Sequence, residues 1–366
     1  MLDLQEGLTT SPAGALAEAH EQSVRIEAQL RRDPALHRVL TGDRPTGPLH
    51  LGHYFGTLHN RVRLQDLGVD LLVVVADYQT ITDRDSPASL PGDVDALLAD
   101  YLAVGIDEQR ATIFAHSHVE QLNQLLVPFL SLVSVADLER NPTVKEEMAA
   151  AGLASMSALM FTYPVHQAAD ILFCKATVVP VGKDQLPHVE LTRSIARRFN
   201  RRYSPESAVF PEPAALLSDA PALLGTDGRK MSKSRGNAIP ISATTDETAR
   251  LIAAAKTDSE RRITYDPVGR PEVSNLVLLA ALCLDRDPHE IAEEVGDAGS
   301  AALKRLLTEA VNERFRDIRA RRTELAADPG HLRDVLHAGN QRAREVAEQT
   351  LSDVKRLMHT DYARPG

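Results

Sequence analysis

Up to about residue 240 this chain alternates short apolar runs with longer segments of helical periodicity, and beyond that point the short runs stop. The runs are Leu36-His37-Arg38-Val39-Leu40, Leu71 to Ala76, Thr112-Ile113-Phe114 and Val178-Val179-Pro180-Val181. They have strand length and are close to continuously apolar, the mark of strands buried on both faces. Between them the spacing predicts helices over 48–67, 91–104, 119–134, 143–173 and 184–199. Strands separated by helices of this length form a parallel sheet covered on both sides. In such sheets ligands sit outside the C-terminal strand ends, where the strand order reverses. Gly42, Asp77 and Gly182 fall just past strand ends, as that rule requires. The rest of the chain reads as helices over 243–256, 274–284, 287–297, 299–325 and 330–358. Residues 1–36 hold a polar lead and a helix from Pro12 to Arg32, stopped before Pro34. The expected organisation is therefore a helical extension (1–36), an α/β domain (37–240) and an all-helical domain (241–366).

Two motifs lie on this frame. Pro48-Leu49-His50-Leu51-Gly52-His53 stands where the first strand, through the Gly42 to Pro48 loop, turns into a helix. Pro48 suits a first helical turn, and a helix N-terminus offers unpaired N–H groups to phosphate. His50 and His53, three apart, share a helix face, and Gly52 lets a flat adenine or ribose lie on the backbone. Downstream, Lys230-Met231-Ser232-Lys233-Ser234 follows Gly225-Thr226-Asp227-Gly228-Arg229, a loop too rich in turn formers to be rigid. Two ammonium groups on such a loop suit a leaving pyrophosphate. Alone, the first motif reads equally as surface histidines and the second as a solvated loop. Together, in this order and context, they point to nucleotide chemistry.

The bulk numbers narrow the class. A chain of 366 residues with 43% hydrophobic and 25% charged residues is ordinary for a globular protein. No apolar run approaches the ~20 residues of a membrane span. Asp3 and Glu6 stand where a signal peptide would be basic. Cys174 and Cys283, in apolar surroundings without metal-ligand spacing, suggest buried thiols in a reducing compartment, hence a cytoplasmic setting. A net charge of −10 argues against a general nucleic-acid binder but leaves room for local phosphate contacts. Two arginine clusters, 193–202 and 314–322, are the candidates, and solvated faces balanced by Glu explain either as well.

The two motifs resemble the signature sequences of class I aminoacyl-tRNA synthetases. The stretch between them resembles the tryptophanyl family: Tyr101 to Asp107, Tyr163-Pro164, Ala168-Ala169-Asp170-Ile171-Leu172, and Pro180 to Gln185 leading into His188-Val189-Glu190-Leu191-Thr192-Arg193. The likeness runs from about residue 37 to the C-terminus and is strongest over 160–200. It implies a Rossmann-like nucleotide-binding domain followed by a helical anticodon-binding domain. The activity it implies joins L-tryptophan to tRNA(Trp) in a homodimer, with ATP as substrate, Mg²⁺ carried on the ATP and no protein-bound metal site.

The resemblance also implies roles. His50, His53, Lys230 and Lys233 would carry catalysis. Arg44, Pro45, Thr46, Gly52, His53, Lys145, Gly182, Lys183, Asp184, Pro221, Lys230, Met231, Ser232, Lys233 and Ser234 would hold ATP. Asp170 would accept the indole N–H, Tyr163 and Gln185 would hold the α-amino group, and Gln79 would form the pocket wall. From its neighbours alone Asp170 reads equally as a helix-surface or salt-bridged carboxylate, and Tyr163 and Gln185 as ordinary packing or capping. Arg44, Gln79, Gln167 and Lys183 depart from the residues usual in the family and suggest a divergent branch. A tyrosine-specific ligase stays open, since a carboxylate also accepts a phenol O–H. So does a non-enzymatic paralogue that senses tryptophan, against which the intact His50, His53, Lys230 and Lys233 speak. Small nucleotidyltransferases with an HxGH motif, such as pantetheine-phosphate adenylyltransferase, lack the second motif and the helical C-terminal part.

Overall fold

The computed structural model describes residues 12–82, 88–141, 157–217 and 223–362. Five strands, β1 (Arg38–Asp43), β2 (Asp70–Val75), β3 (Ala111–Ala115), β4 (Val178–Val181) and β5 (Ala214–Leu217), form one parallel sheet in the order β3-β2-β1-β4-β5. The chain builds outward from β1 to β3, then returns to lay β4 on the other side of β1. That return is the switch point. β1 keeps register with β2 from Arg38↔Asp70 to Asp43↔Val75, but meets β4 only at Val39↔Val178. The ladder therefore leaves the C-terminal halves of β1 and β4 unjoined, where a crevice can open.

Among the described residues the helices are α1 (Pro12–Arg32), α2 (Leu51–His53), α3 (His59–Leu67), α4 (Leu90–Val104), α5 (Glu120–Leu130), α6 (Val135–Glu139), α7 (Ala158–Phe173), α8 (Leu186–Tyr203), α9 (Thr245–Ala253), α10 (Pro271–Leu284), α11 (Pro288–Val295), α12 (Ser300–Ala326) and α13 (Pro329–Leu357). Because side chains alternate along a strand, the sheet feeds two cores. Val39, Leu71, Val73 and Val75 join one core with residues of α4, α10 and α12. Leu40, Leu72, Val74 and Phe114 join the other with α5, α7, α8 and α13. Each fully buried Leu or Val contributes about 2 kcal/mol of transfer free energy.

Both sheet edges are closed by side chains of helices, which removes the hazard of unpaired strand edges. On β5, Ser23 of α1 accepts the N–H of Leu217 at 2.9 Å. On β3, Asn340 of α13 accepts the N–H of Ala115 at 2.9 Å and Arg342 donates to Ala111 O at 3.1 Å. Gly339 lets α13 lie against the strand: a Cβ there would sit 1.7 Å from Ile113 O. The N-terminal helix, to which the sequence assigned no chemistry, is thus an edge cover.

Four expectations are corrected. The first strand runs over Arg38–Asp43, not 36–40, and Leu36 is 77% exposed in a short turn begun by Pro34. Its polar tail stays extended because Gly42 fits under β2, where a Cβ would meet Val74 O at 2.1 Å. The predicted helix over 48–67 starts only at Leu51 and runs on to Leu67, widened by a π-type turn over Tyr54–Leu58 that contains Gly56. The predicted 119–134 helix ends at Leu130 and a second short helix follows. β5 was not predicted, since Ala214-Ala215-Leu216-Leu217 is short and half alanine. Of the predicted helix over 143–173, the part before 157 lies outside the described residues.

Candidate active site

A cavity of about 390 Å³ opens where β1 and β4 part. Arg44, Thr46, His53, Gln79, Tyr163, Asp170, Gly182, Gln185 and Lys233 all line it, and so does Gln167. Pro45, His50, Gly52, Lys183, Asp184, Lys230, Met231 and Ser232 are not on its wall. Lys145 and Pro221 lie outside the described residues, as does the side chain of Ser234.

The first motif is set by tertiary contacts. His50 is the N-cap of α2, so the helix starts at Leu51 and Pro48 precedes it. Three N–H groups at the motif are already occupied. Leu49 N–H donates to Asp100 at 2.9 Å, His50 N–H to His53 Nδ1 at 3.2 Å, and Leu51 N–H to Ile239 O at 3.0 Å. Phosphate contact at this point falls to side chains. Since His53 Nδ1 accepts, its proton resides on Nε2, making that atom a donor. The two imidazoles are 3.7 Å apart between centroids. Burial, then His53 and Lys233, push the His50 pKa down to about 3. Burial outweighs the opposing pull of Asp43 and, with Lys233 and Arg61, brings His53 to about 4. Both rings are neutral hydrogen-bonding groups at neutral pH. Gly52 has a local reason: a Cβ would stand 3.0 Å from the His50 ring.

The bed beneath this motif is a buried ionic group that the sequence reading missed. Arg61, 2% exposed, donates to Thr41 Oγ1 at 3.0 Å, Gly42 O at 3.1 Å and Asp43 at 2.5 Å. Tyr101 also donates to Asp43, at 2.7 Å. Burial alone raises a carboxyl, but Arg61 beside it holds Asp43 well below the usual range. Asp100 is likewise buried, and Arg322 of α12 donates to it.

The second motif is more ordered than its composition suggests. Asn237, 2% exposed, accepts Ser232 N–H at 2.8 Å and donates to Asp227 at 2.7 Å and Lys230 O at 3.2 Å. Gly225 makes room for it, since a Cβ would lie 2.4 Å from the Asn237 amide. Met231 is buried in the core. Lys233 reaches back across the cavity, its Nζ donating to Gly47 O at 2.7 Å. Lys230 points to solvent.

Across the cavity, α7 presents Tyr163 and Asp170. The hydroxyl of Tyr163 lies 3.1 Å from His188 Nε2, and His188 Nδ1 lies 3.2 Å from Asn141 Nδ2. Burial depresses the pKa of His188 to about 4. Asp170 is 2% exposed, and its Oδ1 finds no hydrogen-bond partner among the described residues. Its Oδ2 lies 2.8 Å from His116 Nε2, at ion-pair distance but off the line of a good hydrogen bond. His116 caps the C-terminal end of β3, held there by Ser117, whose hydroxyl and N–H both donate to Asp77. Beside them His166 stands edge-on to His116, centroids 4.9 Å apart. No metal site was expected, yet His116, His166 and Asp170 bring ligand atoms within 4.8 Å of one another. The signal for His116 was available: like Gly182, it directly follows a strand, whereas Gly42, expected past a strand end, lies inside β1.

At Gly182, just past β4, a Cβ would meet Asp184 Oδ1 at 2.7 Å, so the exposed carboxylate folds over the glycine. Gln185 donates to that carboxylate at 3.2 Å.

The arginine clusters are largely tied down. Arg319 donates to Ile241 O and Thr248, Arg321 to Ala103 O, and Arg322 to Asp100. Arg193 pairs with Glu190 at 2.8 Å, and Arg198 with Asp137 at 2.9 Å. Arg197, Arg201, Arg202, Arg314, Arg316 and Arg321 are exposed, Arg197 on Glu212 and Arg321 on Ala103 O.

The sequence pattern described as tRNA synthetases class I (W and Y) matches residues 35–316. A tryptophan–tRNA ligase of Treponema pallidum is 44% identical over 337 residues, covering 90% of this chain and 98% of its own. That of Streptococcus pneumoniae is 41% identical over 88% of this chain and 98% of its own. Among solved structures, a tryptophanyl-tRNA synthetase of Campylobacter jejuni complexed with ADP and tryptophan superposes with a TM-score of 0.76 at 32% identity, covering 88% of this chain and 99% of its own. With its parallel sheet, its switch-point cavity and both motifs beside it, this chain belongs to the class I tRNA synthetases, in the tryptophan and tyrosine branch.

Proposed function

We infer that the chain is a tryptophan–tRNA ligase. It joins tryptophan to ATP, forming tryptophanyl-adenylate and pyrophosphate, then passes the acyl group to the terminal ribose of tRNA(Trp). One observation carries the reading: a single cavity has the cation Lys233 and the donor His53 on one wall and a buried carboxylate with a vacant acceptor, Asp170 Oδ1, on the other.

The amino acid's carboxylate oxygen attacks the α-phosphorus of ATP, and the bond from that phosphorus to the bridging oxygen breaks. No covalent enzyme intermediate is needed, so positioning and charge stabilisation supply the rate. Lys233 neutralises charge that moves to the leaving pyrophosphate, and the Nε2–H of His53 donates to phosphate oxygen. Arg44 and Thr46 lie beneath the nucleotide, and Asp184 beyond Gly182 faces the ribose hydroxyls. Mg²⁺ travels with ATP: the carboxylates on the described wall, Asp43 and Asp170, already have Arg61 and His116 as partners. Tyr163 and Gln185 take the α-ammonium, Gln79 completes the wall, and Asp170 accepts the indole N–H. An amino acid without a ring donor leaves that carboxylate unsatisfied, and sites built this way discriminate by ~10⁴ or more.

The same reading includes a helical tRNA-binding part from about residue 241, with the exposed Arg314 and Arg316 as phosphate contacts, and a homodimer, which rests on the family likeness. A cytoplasmic setting is supported by Cys174 and Cys283, both buried and unpaired, their thiols pushed up to about 12 by burial. No described helix is long and apolar enough to cross a membrane.

Amino-acid-dependent pyrophosphate exchange across the twenty amino acids tests the assignment. Tryptophan alone should support exchange. Exchange driven by tyrosine instead would move the chain to the tyrosine branch, and binding without exchange would make it a sensor.

A further inference from the structure

The two oxygens of Asp170 have different surroundings. Oδ2 lies 2.8 Å from His116 Nε2, whereas Oδ1 is buried without a hydrogen-bond partner among the described residues. His116 is 1% exposed, and its Nδ1 also finds no partner, so Asp170 is the polar group that this ring faces. His116 cannot easily swing away. Its turn is pinned by Ser117 on Asp77, and the next ring, His166, stands edge-on and lies 3.3 Å from Asn123 Oδ1. A buried carboxylate is costly without polar partners, and the His116 contact supplies one at Oδ2.

We propose that His116 is a positioning residue for substrate selection: it occupies Oδ2, fixes the orientation of the carboxylate, and reserves Oδ1 for an N–H donor on the ring of the amino acid. This rests on the reading of Asp170 as the ring acceptor. Burial disfavours charge on His116, but Asp170 outweighs it and raises the imidazole pKa, whereas burial keeps His166 on the neutral side. The pair therefore leaves Oδ1 as the open acceptor of a fixed carboxylate on the cavity wall. The substrate class it fits is an amino acid with a heteroaromatic N–H, in preference to an isosteric ring without one.

The test compares tryptophan with β-(3-benzothienyl)alanine, which replaces the ring N–H by sulfur, in pyrophosphate exchange by wild type, His116→Phe, His116→Gln and Asp170→Asn. In His116→Phe the KM for tryptophan should rise about 10- to 100-fold, the range for a hydrogen bond to a charged group. Its kcat should stay within about threefold, and preference over the sulfur analogue should shrink by a similar factor. His116→Gln, which keeps an N–H for Oδ2, should recover most of the preference. Equal losses for both substrates, or a Gln variant that folds with wild-type Tm yet has lost as much preference as Phe, would overturn the proposal. So would zinc retained stoichiometrically by the wild type and lost in His116→Gln, which would make the cluster a metal site. Undiminished preference in Asp170→Asn would instead overturn the reading of Asp170, and the role of His116 with it.

Discussion

On the α7 wall of the cavity, Asp170 and His116 are both buried and already in contact, with Oδ2 2.8 Å from Nε2. On the opposite wall, Lys233 is half-buried against a backbone carbonyl and the neutral imidazole of His53 lies near it, while His50 and Lys230 stay off the wall and Lys230 is in solvent. The difference follows from when each wall meets its charge. A ring N–H is present in the substrate from the start, so its acceptor can be stripped of water and fixed in advance. The charge on pyrophosphate develops only as the bond breaks, so its partners do most when their contacts strengthen in the transition state.

Lys233→Ala should show the largest effect, about 10²- to 10³-fold on the rate of adenylation, with tryptophan affinity nearly unchanged. Lys230→Ala should fall well short of that, since Lys230 lies off the wall. Because this chain contains no Trp, bound tryptophan is the sole indole and its emission reports affinity directly. A Lys233 variant that no longer binds tryptophan would erase the contrast between the walls.

Asp170→Ala should show the reverse pattern, weakening tryptophan binding about 10²-fold in the same titration. Unchanged affinity would remove the recognition role and reopen the tyrosine reading.

Next comes the support beneath the first motif. Arg322→Gln leaves Asp100 buried without its cation and should cost about 3 kcal/mol in urea unfolding. Adding Asp100→Asn should return part of that loss, because the uncompensated charge is gone. Within the 314–322 cluster, a candidate from sequence for phosphate contact, Arg319 and Arg322 therefore hold the fold, and Arg314 with Arg316 are the variants that isolate a tRNA effect.

The smallest effect concerns pH. His50, His53 and His188 have folded pKa values near 3, 4 and 4, below the usual 6.5. A lowered folded pKa means that the unfolded chain binds more protons between those values. Their contribution to stability is complete above about pH 6.5 and is lost as pH falls toward 4. His188→Gln should flatten the acid limb of the stability profile, and an unaltered limb would show that the ring is not held neutral.

Much of this was legible in the chain. The apolar runs at 71–76 and 178–181 announced β2 and β4, the periodicity after 240 announced α9 to α13, and the two motifs with Asp170 marked three sides of one cavity. What stayed hidden were groups whose meaning depends on a partner far along the chain. Arg61 sits in an unremarkable helix, Asn237 in a loop, and Arg322, which binds Asp100 from 222 positions away, in a cluster that read as surface charge.

The sequence by itself determined the parallel α/β frame, the helical remainder and the residue types around the nucleotide, because hydrophobic period and turn chemistry are local properties. Only the tertiary structure decided that three N–H groups at the first motif are occupied, that Lys233 and not Lys230 faces the cavity, and that His116 stands behind Asp170. Those outcomes depend on desolvation and on which distant groups are brought to within about 3 Å, and neither is a property of any single stretch of chain.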